Sequence, residues 1–269
     1  MKEMAVAVVG LGAIGSKVAS ALAKGIEGLR LHSVADKEPV NSTIREFAAR
    51  LQSPIIPSEK AADDVDMIVD CASSSSFTEI AVPAVEKGRV LVTVNSAALL
   101  GHTDLISKAR MTGARIIVPS GALLGLDAVR AAAEGTIYSA KIVTRKPPRS
   151  LAGAPLVIER NIDIERLDRP ILLFHGSARE AARNFPQNVN VAASLSLAGI
   201  GADRTQSEVW ADPGCTRNTH TVEVESDAGS FSMTISSAPD PQSPRTSIMA
   251  PQSVIACLRG LVCSFRVGS

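Results

Sequence analysis

The amino-acid sequence predicts an α/β chain in two parts, a doubly wound parallel sheet followed by an α+β domain built on a largely antiparallel sheet. Three observations predict it. From residue 4 to about residue 121, apolar runs of strand length alternate with stretches of helical periodicity, the grammar of a parallel sheet with helices on both faces. A glycine turn, GLGAIG, joins the first strand to the first helix. Beyond residue 121 the alternation gives way to segments of period two, as half-buried antiparallel strands have.

The elements follow in order. MAVAVVG (4–10) is a buried strand, and AIGSKVASALAKG (13–25) has apolar residues at helical spacing and ends on glycine. LRLHSVAD (29–36), VDMIVDCA (65–72), RVLVTV (89–94) and ARIIVPSG (114–121) are the next strands, with STIREFAARL (42–51), SFTEIAVPAVEKG (76–88) and DLISKARMTG (104–113) as the helices between them. In the second part GLDAVRAAAEG (125–135) reads as helix, TIYSAKIVTRK (136–146) as strand and PPRSLAGAP (147–155) as loop. ILLFHGS (171–177), TQSEVWAD (205–212), HTVEVESD (220–227) and SFSMTISS (230–237) alternate as strands, while NVNVAASLSLAG (188–199) is spaced as a helix. TSIMAPQSVIACLRGLVC (246–263) is a last long helix, with Pro251 placed to kink it. The expected domains are 1–121 and 122–245, with the helix of about 246–269 packing back onto the first.

At 269 residues the chain can bury a large core without disulfides or metals. Lys+Arg 28 against Asp+Glu 27 leaves no basic field, and aromatics at 3% leave no stacking platform, so nucleic acid is excluded as a partner. Cys71, Cys215, Cys257 and Cys263 form no CxxC pair and no metal-ligand set, and MKEM leads into a strand without a signal-peptide core. Reduced thiols and a cytoplasmic location are expected. No apolar run reaches the ~18 residues of a membrane helix, so the expected partner is a small molecule.

Gly10, Gly12 and Gly15 form a GxGxxG between strand and helix, with Ala13 and Ile14 inside the turn and Asp36 closing the next strand 21 residues past Gly15. The first glycine makes the tight turn, the second admits a pyrophosphate to the backbone, and the third lets helix pack on strand, while the helix N-terminus favours the anion. This is a Rossmann dinucleotide-binding signature. Asp36 would accept the adenosine ribose hydroxyls and repel a 2′-phosphate, so NAD is expected, with NADP as the alternative; Lys37 beside it reads as a solvated turn residue. The nicotinamide in such folds lies over the carboxyl ends of the strands, which here carry CASSSS (71–76) with Ala72, VNSAAL (94–99) and VPSGALLG (118–125). Cys71 reads as an inert strand-end thiol.

FPQNVNVAASLSLAG (185–199), WADPGCTRNTHTVEV (210–224), VPSGALLGLDAV (118–129), RKPPRSL (145–151) and SPRTS (243–247) together resemble the L-aspartate dehydrogenase family over nearly the whole chain. The resemblance implies NAD-dependent oxidative deamination of L-aspartate to oxaloacetate and ammonia through iminosuccinate, or the reverse amination. It also implies a link to NAD biosynthesis, with iminosuccinate handed to a quinolinate-forming enzyme. By the same resemblance His220 is the active-site residue, and Ala122 and Asn190 touch the NAD. The chain departs from the family pattern in its serine-rich 72–79 segment, at Ser243 and at Trp210.

Chemistry supports the histidine. Hydrolysis of an iminium needs a group that takes a proton from water and later delivers one to nitrogen, and imidazole has the ordinary pKa for that at neutral pH. Activity is therefore expected to rise through a histidine pKa of about 6–8. His32, His102 and His175 read as structural. The two carboxylates of aspartate call for cations or amide donors, for which Lys146, Arg217 and the Arg245, Thr246, Ser247 group at the start of the last helix are candidates. A homodimer through an uncovered apolar face of the second sheet is expected. Two rivals are another NAD(P)-dependent imine or semialdehyde oxidoreductase and a non-catalytic NAD-binding sensor. The semialdehyde enzyme wants a nucleophilic cysteine where this chain has Ser120, Gly121 and Ala122, and the intact Asn190 and His220 segments speak against the sensor.

Overall fold

The computed structural model describes residues 3–186, 189–241 and 243–268. It divides into two compact units, Met1–Pro119 with Ala250–Val267, and Ser120–Met249 with Gly268–Ser269.

The first unit runs β1 (Met4–Val9), α1 (Gly15–Ala23), β2 (Leu29–Ala35), α2 (Ser42–Arg50), β3 (Ile55–Ile56), β4 (Met67–Asp70), α3 (Phe77–Glu86), β5 (Val90–Thr93), α4 (Ser96–Leu100), α5 (Asp104–Thr112) and β6 (Arg115–Ile117). All six strands are parallel, in the order β3-β2-β1-β4-β5-β6, the two-halved order in which the chain reverses direction beside β1. Ala5 to Val9 are all buried, which is why β1 reads as an unbroken apolar run rather than an alternating one. β3 escapes the sequence pattern because it is two residues long and sits between Pro54 and Pro57.

The second unit contains α6 (Leu126–Ala133), β7 (Ile137–Lys146), α7 (Pro155–Glu159), β8 (Ile171–Ser177), α8 (Ala178–Asn184), α9 (Asn190–Ala198), β9 (Gln206–Ala211), β10 (Asn218–Ser226), β11 (Gly229–Ser237), β12 (Pro239–Asp240) and β13 (Ser243–Ser247). Its main sheet has the order β11-β10-β7-β9-β8. The pairing is antiparallel except between β7 and β9, which run parallel; a period-two pattern cannot reveal strand direction. One sheet face packs Ile142, Val209, Val222 and Val224 against Val129, Ala192 and Leu195 of the helices. The other face corrects the expectation of an apolar surface: it carries Lys141, Thr221, Glu223 and Thr234, with the Thr221 and Thr234 hydroxyls 2.9 Å apart and Lys141 paired to Glu208 at 2.9 Å. The 147–155 loop holds a 3-10 turn and the proline that opens α7. The unexpected α8 is announced by a capping box between Ser177 and Glu180.

The chain then enters α10 (Met249–Val262), whose Val254 and Leu258 are fully buried in the first unit's core beside Val18, Leu22 and Leu29. Two expectations about this segment are corrected. Thr246 and Ser247 belong to β13, not to the helix start, because β12 and β13 pair as a short hairpin that delays the helix. Pro251 falls in the first helical turn, where the missing N–H has no partner to lose, so it opens the helix instead of kinking it.

Candidate active site

In the first unit the glycine turn is shaped by backbone crowding. Gly10 has φ +86°, and a Cβ there would lie 2.5 Å from Ala72 Cα. A Cβ on Gly15 would run into the carbonyl oxygen of Gly10, so both positions exclude side chains for reasons internal to the fold. Gly12 differs, since nothing among the described residues lies within 4 Å of its Cβ position, and that open space next to the start of α1 fits an approaching pyrophosphate. Ala13 and Ile14 complete the turn, with Ser16 Oγ donating to Gly12 O at 2.8 Å. Asp36, one residue past β2, reaches back to the turn: its Oδ2 accepts from Leu11 N at 2.8 Å and its Oδ1 from Glu38 N at 3.1 Å. The carboxylate is thereby fixed beside the glycines, and these residues fit a dinucleotide.

A second group of the first unit was not foreseen. Asp70, fully buried at the end of β4, accepts from Thr93 Oγ1 at 2.7 Å, Asn95 Nδ2 at 2.9 Å and Ala72 N at 3.1 Å. Asn95 Nδ2 also donates to Ala72 O at 3.1 Å. Ala72 is held at both its N–H and its C=O. Burial raises the Asp70 pKa, opposed by these hydrogen bonds. Burial, with the Asp70 charge next to it, also pushes the Cys71 thiol up, so Cys71 is no nucleophile.

In the second unit His220 is the third residue of β10 and only 3% exposed. It pairs across the strands with Thr144 of β7, and its Nδ1 lies 3.0 Å from Thr144 Oγ1. Lys146, two residues further along β7, shares that face and is 5% exposed. Burial lowers the His220 pKa to about 3, helped by the Lys146 charge. This corrects the expectation of a histidine titrating near 6–8: the imidazole is held neutral through the physiological range, because charging it would bury a cation next to another. Burial also brings Lys146 down to about 8. Asn218 and Ser237, opposite each other on β10 and β11, are buried at the same end of the sheet.

Ala122 is half-buried in the turn closed by Leu123 N donating to Ser120 O at 3.1 Å, and Asn190 is the first residue of α9. Arg217 is exposed just before β10. Thr246 Oγ1 lies 3.3 Å from Ser243 Oγ, and Ser247 Oγ accepts from Met249 N at 3.1 Å; the Arg245 side chain lies outside the described residues. His102 packs against Phe77, and His175 is exposed on β8. Trp210 lies on the opposite sheet face from His220, its ring 4.6 Å from the Arg145 guanidinium carbon.

A turn with this shape accepts pyridine dinucleotides, and a buried imidazole beside a buried amine suits proton and hydrogen-bond chemistry on a small substrate; the class is that of nicotinamide-dependent oxidoreductases. A family model described as "Aspartate dehydrogenase, C-terminal" matches residues 127–261, and one described as "Homoserine dehydrogenase, NAD binding domain" matches residues 10–119. The chain is 48% identical to an L-aspartate dehydrogenase of Bradyrhizobium diazoefficiens over 99% of its own length and 95% of the relative's. It is 47% identical to L-aspartate dehydrogenase 3 of Bordetella bronchiseptica over 100% and 98%. The chain therefore belongs to the L-aspartate dehydrogenase family. The crystal structure of aspartate dehydrogenase from Thermotoga maritima has the same fold, with TM-score 0.76 and 24% identity over 99% of this chain and 100% of that one. No helix among the described residues is long and apolar enough to cross a membrane.

Proposed function

We propose that this chain catalyses oxidative deamination of L-aspartate to oxaloacetate and ammonia, with NAD as the preferred cofactor and His220 at the reacting atoms. The observation that carries the reading is the buried His220–Thr144 pair at 3.0 Å, polar side chains at the end of the sheet face whose Ile142, Val222 and Val224 belong to the hydrophobic core. A bound nicotinamide would supply the acceptor for the hydride on the substrate's Cα. His220, with Nδ1 committed to Thr144, offers Nε2 to the substrate or to the attacking water as a neutral hydrogen-bonding group. Ala122 and Asn190 touch the cofactor on the strength of the resemblance, and Arg217, Thr246 and Ser247 are proposed for the substrate carboxylates. The rival semialdehyde chemistry is disfavoured because the one thiol at a strand end of the first unit's sheet, Cys71, is deactivated by burial.

Asp36 supports NAD over NADP. Its carboxylate is anchored beside the turn by Leu11 N at 2.8 Å, where a 2′-phosphate would meet a fixed negative charge. NADH formation from L-aspartate and NAD is the deciding assay. Turnover with NAD is expected to exceed that with NADP by about tenfold or more in kcat/KM, and Asp36→Ala to narrow the gap; no NADH from L-aspartate would sink the reaction, and a preference for NADP would sink the role of Asp36.

A homodimer is proposed on the outer sheet face, where Leu172, Trp210 and Arg145 lie in one row across β8, β9 and β7; Trp and Arg are enriched at interfaces. Sedimentation at micromolar concentration should give twice the chain mass. A cytoplasmic location accords with four free cysteines, and transfer of iminosuccinate to a quinolinate-forming enzyme rests on the resemblance alone.

A further inference from the structure

We propose that Ser237 binds the substrate, its hydroxyl donating a hydrogen bond to one of the substrate's carboxylates. The inference rests on the aspartate reading above and names one binding contact within it.

Its foundation is the inward-facing rows of the second unit's sheet. On β11, Phe231 and Met233 pack against the hydrophobic core, and Ser237 follows in the same phase, so its side chain leaves the sheet on that face. The register carries this face across the neighbouring strands. Val222 of β10 stands opposite Ile142 of β7 and Met233 of β11. In the next row His220 lies between Thr144 and Ile235. One row further, Asn218 lies opposite Ser237, and one more step of the β7–β10 register brings Lys146 to the other side of Asn218. The face thus turns from apolar to polar over two adjacent rows at one end of the sheet. Ser237 stands in the outermost of these rows, diagonal to His220. Diagonal neighbours are about 7–8 Å apart at their Cα atoms, a distance that one small molecule touching both side chains bridges.

The hydroxyl is buried and unmatched. Ser237 is 5% exposed, and its Oγ has no hydrogen-bond partner among the described residues, an arrangement that costs stability unless a ligand supplies the partner. Ser33, Ser53 and Ser207 share that condition, and their places in the fold separate them from Ser237. Ser33 and Ser53 belong to the first unit. Ser207 of β9 lies opposite Ile142, two rows deeper, where the face is still apolar. Of the four, Ser237 is the one that shares its end of the sheet with His220.

The groups around the hydroxyl select an anion. Asn218 brings an amide and Lys146 an amine, both hydrogen-bond donors. No inward position of β7, β9, β10 or β11 is acidic, because Glu208, Glu223 and Glu225 all fall in the outward phase. A hydrogen bond to an ionised acceptor is about twice as strong as one between neutral groups. A hydroxyl in this place therefore favours a carboxylate over a neutral group of the same size.

Ser237→Ala tests the contact without emptying the core, since it removes a hydroxyl and leaves no buried partner behind. Its melting temperature should equal or exceed the parent's. KM for L-aspartate should rise about 10–100-fold, while kcat and NADH affinity stay within about threefold, as expected when a contact made equally in ground and transition states is lost. A KM within about threefold of the parent's overturns the proposal. So does a joint fall in kcat, NADH affinity and melting temperature, which would make Ser237 structural. Ser237→Cys keeps nearly the same volume with a weak donor, and its KM should follow that of Ser237→Ala; parental KM in the cysteine variant overturns the hydrogen bond in favour of volume. L-asparagine locates the contact. An equal loss of kcat/KM with both amino acids assigns the hydroxyl to the α-carboxylate, a loss confined to L-aspartate assigns it to the side-chain carboxylate, and either upholds the proposal. Calorimetric titration of L-aspartate into the protein saturated with NADH reads the same contact without turnover, and the dissociation constant should rise by the same factor in Ser237→Ala. If that rise is seen but the parent forms no NADH from L-aspartate, the reaction assigned above is overturned and the contact stands; if the parent forms NADH and the rise is absent, the role of Ser237 is overturned.

Discussion

His220→Ala is expected to lower kcat with L-aspartate by roughly 10²–10⁴-fold, with NADH affinity changed by less than about threefold. The imidazole is buried and tied to Thr144 at 3.0 Å, so its ring is held in one orientation and its contribution depends on position more than on charge. With its pKa lowered to about 3, the ring is neutral on both sides of pH 7. Steady-state kinetics across pH, beside a fluorescence titration with NADH, make the measurement; near-parental kcat would remove His220 from the site. Truncation also leaves the Thr144 hydroxyl unpaired, a cost of about 1–3 kcal/mol, so the melting temperature is read alongside.

The glycine turn should separate folding from binding within six residues. Gly15→Ala places a methyl group against the Gly10 carbonyl, 3.0 Å from its carbon and 3.2 Å from Cys71 Cβ. Backbone cannot step aside as a side chain can, and a loss of more than about 4 kcal/mol of stability is expected. Gly12→Val meets no atom of the described residues within 4 Å of its Cβ, so its melting temperature should move by only a few degrees while NADH affinity falls by roughly 100-fold, about 2.7 kcal/mol. Calorimetry and thermal melts of the two variants decide it. If Gly12→Val binds NADH as tightly as the parent, the turn does not hold the pyrophosphate.

The parallel sheet was legible because β1, β4 and β5 are short, largely apolar runs set between stretches of helical periodicity, as burial on both faces requires. The hairpin of β12 and β13 was not, since PDPQSPRTS has no periodicity to separate a short strand from the start of a helix. Within the site His220 stood out through the motif around it, but its electrostatics did not. A protonation state depends on what lies across the strand, and Thr144 is 76 residues away in sequence. A signal was nonetheless present. Ala140 and Ile142 set the inward phase of β7, and Thr144 and Lys146 continue it with polar side chains; Val224 and Val222 set that of β10, and His220 and Asn218 continue it in the same way. Two strands whose inward phase turns polar at neighbouring ends mark a site, once their pairing is known. Asp70, Thr93 and Asn95 gave no such signal, because a strand end followed by a polar turn is commonplace.

The return of α10 to the first core has a consequence for how the protein is made. Val254 and Leu258 fill space beside Val18, Leu22 and Leu29, and Val262 lies 3.2 Å from where a Gly28 side chain would begin. The ribosome delivers residues 120–249, which make up all but the last two residues of the second unit, before it delivers this helix. At roughly 5–20 residues per second that interval is about 7–26 s. Throughout it the first unit has its β-strands but not the apolar cover that α10 provides, while all of the second unit but its last two residues is delivered as one stretch of chain. The order of folding is thus the reverse of the order of synthesis: the unit begun first is finished last, and its exposed core through those seconds is where a chaperone would be needed.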